Sequence, residues 1–101
     1  MYNHLRIKYP DRIPVVVEKN ELHLDAHKYL VPSDLKVSEF LCLIRKKIKI
    51  KKFEAIFTFV KSSDSEYVLI KLNETIQSVY DDYKQEDGLV YIKFKIENTF
   101  G

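Results

Sequence analysis

Glycine is nearly absent from this chain, with only Gly88 and Gly101 among 101 residues. Loops that hold the phosphates of nucleotides need several glycines at fixed spacing, because the backbone must approach the phosphate closely. The sequence contains no such cluster. Nucleotide binding is therefore not expected.

Cysteine is as scarce, since Cys42 is the only one in the chain. One cysteine cannot form an internal disulfide, and no apolar run of secretory length opens the sequence, so a reducing, cytoplasmic setting is expected. Cys42 lies between Leu41 and Leu43 with no histidine close in sequence. This favours a buried structural thiol over the alternative, a small enzyme built around a Cys42 nucleophile.

Long apolar runs and a strong excess of one charge are missing as well. No segment approaches the roughly 20 apolar residues of a membrane-spanning helix, so membrane association would need a modification or a partner. The net charge is +2, which does not indicate a nucleic acid partner. The basic run at residues 45–52 is interpreted as a solvated helix end, with binding of acidic peptide flanks or anionic lipid as the functional alternative. His23 and His27 lie in a segment without helical character, and no metal site is expected.

What is present is enough apolar material for one core, because hydrophobic residues make up 46% of the chain. Runs rich in β-branched and aromatic residues predict strands, and a three-four spacing of apolar residues from Val37 to Ile48 predicts a long helix. Thr75 is the expected N-cap of a short second helix. The predicted strands are residues 12–19, 28–32, 55–60, 67–72 and 89–95.

This order of elements is typical of an α+β fold of the ubiquitin-like β-grasp type, with a mixed sheet packed against one long helix. The first and last strands are expected side by side at the centre of the sheet, which leaves the second strand at an edge. Pro14 has no backbone N–H and is expected to face an unpaired direction or to lie at a strand start. Residues 1–95 are interpreted as a single domain, and residues 96–101 as an exposed C-terminal tail.

Several segments carry a family resemblance: KYPDRIPVVVEK at residues 8–19, KYLVPSDL at residues 28–35, IRKKI at residues 44–48, and the ending ENTFG at residues 97–101. Together with residues 80–91 they resemble, in the same order, the autophagy ubiquitin-like modifiers, the family of microtubule-associated protein light chain 3 and the GABA-receptor-associated protein. Members of that family usually carry two helices ahead of the Tyr-Pro-Asp-Arg turn. Only eight residues precede Tyr9 here, so this helical extension is expected to be largely missing.

The resemblance implies a modifier that is not itself an enzyme. In that family the C-terminal glycine, here Gly101, is joined to phosphatidylethanolamine, which is the one covalent group expected; no other cofactor is. The implied partners are the activating and conjugating enzymes of the autophagy pathway, a deconjugating cysteine protease and motif-bearing cargo receptors. The implied form is a monomer in the cytoplasm that reaches the autophagosomal membrane through its lipid. The alternatives are a peptide-binding scaffold that is never conjugated and a repurposed membrane adaptor.

The resemblance also implies binding of short linear motifs that carry an aromatic and an aliphatic anchor. Such a motif adds as a strand beside strand two, and each anchor enters its own pocket. The aromatic-anchor pocket is expected to be formed by Leu5, Pro14, Val16, Lys28, Leu30 and Leu89. The aliphatic-anchor pocket is expected to be formed by Tyr29, Val31, Pro32, Leu35, Phe40, Leu43 and Ile44. Arg12, Lys28 and Lys47 are expected to attract acidic residues that flank the motif.

Overall fold

The computed structural model describes residues 11–18, 27–47 and 54–98, which form a five-stranded sheet and two helices. The strands are β1 (Arg12–Val17), β2 (Lys28–Pro32), β3 (Glu54–Lys61), β4 (Tyr67–Leu69) and β5 (Val90–Asn98). The helices are α1 (Val37–Arg45) and α2 (Ile76–Tyr83). The strand order in the sheet is β2-β1-β5-β3-β4. This confirms the predicted β-grasp.

The centre of the sheet is the parallel pair of β1 and β5, in which Val15 lies opposite Val90 and Val17 opposite Ile92. Pairing begins at Val15, one residue after Pro14, so the missing N–H of Pro14 falls just before β5 starts. The prediction that Pro14 faces an unpaired direction is thereby confirmed. β1 is shorter than the predicted strand and ends at Val17.

The core lies between the sheet and the two helices. Alternate residues of the central strands face it, so that Ile13, Val15 and Val17 on β1 and Phe94 on β5 are at most 1% exposed. Burying each such side chain stabilises the fold by about 1.5–3 kcal/mol. The apolar side of α1 closes this core with Val37, Phe40, Leu41 and Ile44.

The first backbone N–H groups of α1 donate hydrogen bonds to carbonyls of the segment that follows β4. The N–H groups of Val37 and Ser38 donate to the carbonyls of Glu74 and Leu72 at 2.8 and 2.9 Å. The Glu39 carboxylate also accepts from the Lys36 N–H at 2.9 Å. The predicted strand 67–72 is therefore wrong at its end, because β4 stops at Leu69. The Ile70 N–H still donates to the Thr58 carbonyl on β3 at 3.1 Å, but the Leu72 carbonyl bonds the first turn of α1.

The second helix begins where it was predicted, since Thr75 Oγ1 accepts from the Ser78 N–H at 3.1 Å. Beyond its end, the Gly88 N–H donates to the Gln85 carbonyl at 2.9 Å, and Gly88 has a φ of 82°. Glycine is suited to this position because it has no Cβ to clash there.

Two further boundaries differ from the prediction. Helix α1 ends at Arg45, so Lys46 and Lys47 follow the helix rather than belonging to it. Strand β5 continues to Asn98, whereas residues 96–101 were expected to be tail. Ile96 pairs with Ile56 on β3 and packs against the core. The alternation of Ile92, Phe94 and Ile96 is the signal for this longer strand, because successive side chains of a strand point to opposite faces.

One polar group breaks the apolar core. Thr58 on β3 is 2% exposed, and its Oγ1 has no hydrogen-bond partner among the described residues. Burying a hydroxyl costs desolvation free energy, and without a hydrogen-bond partner nothing offsets that cost. Valine has nearly the same shape and no hydroxyl.

We expect Thr58→Val to raise the free energy of unfolding by about 1 kcal/mol, because it removes the buried hydroxyl. Urea denaturation followed by circular dichroism measures this change. Thr75→Val is the matched control and should lower the free energy of unfolding by about 1 kcal/mol, because it removes a helix N-cap. A loss of stability in Thr58→Val would mean that its hydroxyl has a partner.

Candidate functional site

Strand β2 forms one edge of the sheet, as predicted. It pairs with β1 in antiparallel register, with Leu30 opposite Pro14 and Tyr29 opposite Val15. The Val17 N–H donates to the His27 carbonyl at 2.6 Å, so His27, Tyr29 and Val31 direct their backbone groups toward β1. The N–H of Leu30 consequently points away from the sheet. An edge with outward backbone groups can pair with another strand.

The first cavity lies on the sheet face that is turned away from the helices. It has a volume of about 90 Å³ and is lined by Pro14, Val15, Val16, Lys28, Tyr29, Leu30 and Leu89. Five of the six residues assigned to the aromatic-anchor pocket meet here; the sixth, Leu5, lies outside the described residues. Leu89 is buried yet stands apart from the main core cluster, so its side chain serves this cavity.

Two hydrogen bonds hold Leu89 at the cavity. Its N–H donates to the Asp87 carboxylate at 3.0 Å, and its carbonyl accepts from the Gln85 N–H at 2.9 Å. The turn between α2 and β5 therefore places Leu89 in a cavity that residues of β2 also line. No local pattern in the sequence brings these two segments together.

The second cavity lies on the helix side of the same strand. It has a volume of about 380 Å³ and is lined by Tyr29, Leu30, Val31, Pro32, Leu35, Phe40, Leu43, Ile44, Lys46 and Lys47. All seven residues assigned to the aliphatic-anchor pocket are among them. Phe40 is 3% exposed and packs edge-on against Tyr29, with ring centroids 5.9 Å apart. The floor of this cavity is therefore also part of the core.

Leu43, which the resemblance assigns to the aliphatic-anchor pocket, lines this cavity and is not part of the core. Its side chain is 46% exposed. It lies at the rim of the second cavity because α1 turns only its Val37, Phe40, Leu41 and Ile44 positions fully inward.

Positive charge surrounds both cavities. Lys28 lines the first cavity and Lys47 the second, while the exposed Arg12 lines neither. Arg12 instead donates from Nη1 to the Leu30 carbonyl at 3.4 Å, on the outer side of β2. Lys46 also lines the second cavity, but it was not predicted as a site residue from the sequence. The basic run at residues 45–52 was its only signal.

Cys42 is exposed on α1 and lines neither cavity, so the prediction of a buried thiol is wrong. The sequence suggested burial because leucines flank it on both sides. On a helix, however, adjacent residues point in different directions, and Leu41 faces the core while Cys42 faces solvent.

A third apolar groove, which the sequence reasoning missed, lies near the opposite edge of the sheet. It has a volume of about 760 Å³ and is lined by Ile56, Phe57, Thr58, Leu69, Ile70, Lys71, Leu72 and Asn73. Strand β4 pairs only with residues 59–61 of β3, so the first half of β3 has no described strand on that side. This groove provides an internal comparison for the β2 edge.

The described residues contain no group of three or more histidine, cysteine or acidic side chains arranged to hold a metal ion. No described helix combines the length and apolar character that crossing a membrane requires. Gly101, the predicted conjugation residue, lies outside the described residues, as does the N-terminal segment 1–10.

The sheet order and the helix packed across it define a ubiquitin-like protein. Residues 2–101 match the family model described as autophagy protein Atg8 ubiquitin like, and the chain belongs to this Atg8 family. Autophagy-related protein 8e of Arabidopsis thaliana is 52% identical over 101 residues, covering 96% of this chain and 79% of the relative. Autophagy-related protein 8 of Mycosarcoma maydis is 45% identical and covers 96% of this chain and 81% of its own length.

Solved structures of family members have the same fold. The crystal structure of Trypanosoma brucei ATG8 matches with a TM-score of 0.77 and 33% identity, over 98% of this chain and 84% of that one. Plasmodium falciparum Atg8, in complex with a Plasmodium falciparum Atg3 peptide, matches with a TM-score of 0.72 and 28% identity. That match covers 92% of this chain and 82% of the other. The predicted family and fold are thereby confirmed.

We expect Cys42 of the native protein to react with iodoacetamide at a rate similar to that of the urea-unfolded chain, because the folded structure leaves it exposed. The alkylated protein should keep its circular dichroism spectrum, since no core contact is lost. Mass spectrometry at timed intervals measures the reaction. Labelling that requires urea would contradict the exposed placement of Cys42.

Proposed function

We propose that this chain is a lipid-conjugated modifier of the autophagy pathway that recruits proteins through short linear motifs bound at the β2 edge. The observation that carries the peptide site is the pair of apolar cavities on opposite faces of one edge strand. A peptide that adds to this edge pairs its backbone with β2 and directs alternate side chains to the two faces.

The positions of the two cavities constrain the spacing of the anchors in the peptide ligand. Successive side chains of an added strand alternate between faces, so the two anchors must be separated by an odd number of positions to enter different cavities. The helix-side cavity, which is open and has Phe40 and Ile44 at its floor, suits a branched aliphatic side chain. The smaller cavity beside Leu89 receives the aromatic anchor. Burying both anchors, less the cost of ordering the peptide, supports affinity in about the micromolar range.

Arg12 has a specific part in this proposal. Its guanidinium donates a hydrogen bond to the Leu30 carbonyl, which an incoming strand would use as an acceptor. The bond is long, at 3.4 Å, so a peptide N–H can replace it at small cost. The displaced guanidinium then stands beside the peptide, where it attracts acidic residues together with Lys28, Lys46 and Lys47.

The family membership supports conjugation through Gly101. A glycine without Cβ can enter a narrow enzyme channel, and β5 brings the chain as far as Asn98, only three residues before Gly101. The activating and conjugating enzymes supply the chemistry, a cysteine protease reverses it, and phosphatidylethanolamine is the acceptor. The complex of Plasmodium falciparum Atg8 with an Atg3 peptide supports a conjugating enzyme as one partner. On this proposal the protein is not an enzyme and moves between the cytoplasm and autophagosomal membranes.

We expect Leu30→Asp to weaken binding of a motif peptide by at least about tenfold, because a carboxylate at the shared wall of both cavities has no partner there. Isothermal titration calorimetry with an unlabelled peptide that carries one aromatic and one aliphatic anchor measures the affinity. The circular dichroism spectrum of the variant should match that of the wild type.

Leu69→Asp is the matched control, because Leu69 is 56% exposed and lines the groove near the opposite edge. This variant should change the affinity by less than about twofold, as is usual for surface positions outside a binding site. If Leu69→Asp abolishes binding while Leu30→Asp does not, the peptide binds near β4 and the proposed edge is wrong.

We expect the purified chain to acquire lipid when incubated with the activating and conjugating enzymes of the pathway, ATP and liposomes containing phosphatidylethanolamine. Mass spectrometry should place the lipid on Gly101. Deletion of Gly101 should abolish the product, because the reacting carboxylate is then carried by Phe100. Cys42→Ser should leave the yield unchanged, because the thiol takes no part.

A family member of known competence in the same assay is the reference. If that protein is conjugated and this chain is not, conjugation is wrong for it, and the non-conjugated peptide-binding scaffold becomes the better description. If Cys42→Ser loses the product, the thiol has a chemical role that the proposal denies.

A further inference from the structure

The turn between β3 and β4 carries three serines, Ser62, Ser63 and Ser65. Ser62 Oγ lies within hydrogen-bonding distance of the Asp64 carboxylate and of the Glu66 carbonyl, so this hydroxyl is held inside the turn. Ser65 has a φ of 68°. Ser63 is exposed, and its hydroxyl makes no hydrogen bond to a described residue. Ser65 is exposed as well, but Ser63 is the serine of this turn that lines a cavity together with two lysines.

Two exposed carboxylates follow Ser63, Asp64 immediately and Glu66 three positions on. The hydrogen bonds from the Ser62 side chain and the Glu66 N–H lower the pKa of Asp64, so it is ionised at neutral pH. Enzymes that modify serine select substrates by charge complementarity around the acceptor. A serine followed by these carboxylates suits a kinase with a basic substrate groove.

The surface beside Ser63 is prepared for an added negative charge. A cavity of about 420 Å³ is lined by Lys61, Ser63, Lys84, Gln85, Glu86, Asp87 and Tyr91. The Nζ of Lys61 lies 5.5 Å from the centre of the Tyr91 ring, and that of Lys84 lies 5.0 Å from the Tyr80 ring. Among the described residues neither lysine forms an ion pair.

Two carboxylates, those of Glu86 and Asp87, line the cavity together with the two lysines. Asp87 is already engaged, because its Oδ1 accepts from the Leu89 N–H at 3.0 Å and its Oδ2 from the Tyr91 hydroxyl at 2.5 Å. Glu86 is exposed to water. A phosphate forms stronger, charge-assisted hydrogen bonds with ammonium groups than an aromatic ring can offer them. It would therefore draw both lysines from their rings.

Gln85 fixes the two elements that carry the lysines. Its Nε2 donates to the carbonyls of Lys61 and Ser62 at 3.1 and 3.2 Å, which ties the β3–β4 turn to the end of α2. Lys61 and Lys84 are thereby kept on either side of the cavity that Ser63 lines.

We propose that Ser63 is a phosphorylation site for an acidophilic serine kinase and that the phosphate is held by Lys61 and Lys84. In the transfer, Ser63 Oγ bonds to the γ-phosphorus of ATP while the bond to the β,γ-bridging oxygen breaks. ADP leaves, and the hydroxyl proton passes to the catalytic base of the kinase. The phosphate adds between one and a half and about two negative charges at neutral pH.

The first test incubates the full chain with ATP and casein kinase 2, a kinase of this specificity, and maps the product by tandem mass spectrometry. One phosphate is expected, on Ser63. Ser63→Ala and the double variant Asp64→Asn, Glu66→Gln should each reduce incorporation at least about tenfold, while Ser62→Ala should keep it. Incorporation that persists in Ser63→Ala overturns the assignment.

A peptide of residues 57–72 serves as the reference substrate. If the peptide is phosphorylated and the folded chain is not, the turn conceals Ser63 and the proposal is wrong. If neither is phosphorylated, the kinase does not recognise the acidic residues that follow Ser63, and the proposal is equally wrong.

The second test concerns the lysines. Phosphorus NMR of the phosphorylated chain measures the second pKa of the phosphate, which the carboxylates of Asp64, Glu66, Glu86 and Asp87 raise and the ammonium groups of Lys61 and Lys84 lower. The pKa should rise in Lys61→Gln and in Lys84→Gln. Lys93→Gln is the matched control, because Lys93 lies 5.2 Å from the Tyr67 ring but does not line the cavity. A pKa that stays unchanged in Lys61→Gln and Lys84→Gln, or equal effects of all three variants, overturns the role of the lysine pair.

Discussion

The parallel pairing of β1 with β5 is the constraint on which the other features of this protein depend. It joins segments separated by most of the chain and buries Val15, Val17, Val90 and Ile92 together at the centre of the sheet. With the centre filled, β2 can pair with β1 on one side only, and β3 occupies the other side of β5. The exposed edge of β2 is thus a consequence of the central pair.

The pleat of β2 gives this edge two distinct surfaces. Tyr29 and Val31 face α1, while Lys28 and Leu30 face the cavity beside Leu89. Five residues therefore supply walls for both cavities without any insertion or loop. The edge is also short and is bounded by a lysine and a proline, which limits uncontrolled pairing with other strands. A selective binding edge and protection against aggregation arise from the same few residues.

Polar contacts hold the apolar parts in register. The carbonyls of Leu72 and Glu74 cap α1, and the Gln85 side chain joins the β3–β4 turn to the end of α2. The Asp87 carboxylate connects Leu89, at the first cavity, with Tyr91, at the cavity beside Ser63. Such bonds contribute modestly to stability but fix the geometry of the surfaces that they join.

The order of the elements, the family and the edge strand could be predicted without the structure. Those follow from local signals: β-branched runs, the three-four spacing from Val37, the Thr75 cap and motifs such as KYPDR. The sequence also allowed the two groups of cavity residues to be named from the family resemblance, and apart from Leu5 the structure brings each group together.

Local patterns could not predict where β4 and β5 end, which side chains on α1 are exposed, or which groups meet from distant segments. Cys42 and Leu43 resemble core residues in sequence, but their exposure depends on how α1 rotates against the sheet. Ser63 and Lys84 are 21 positions apart, and only the packing of α2 beside the β3–β4 turn brings them to one cavity. Burial and contact across the chain are set by the packing of whole elements, which no local pattern encodes.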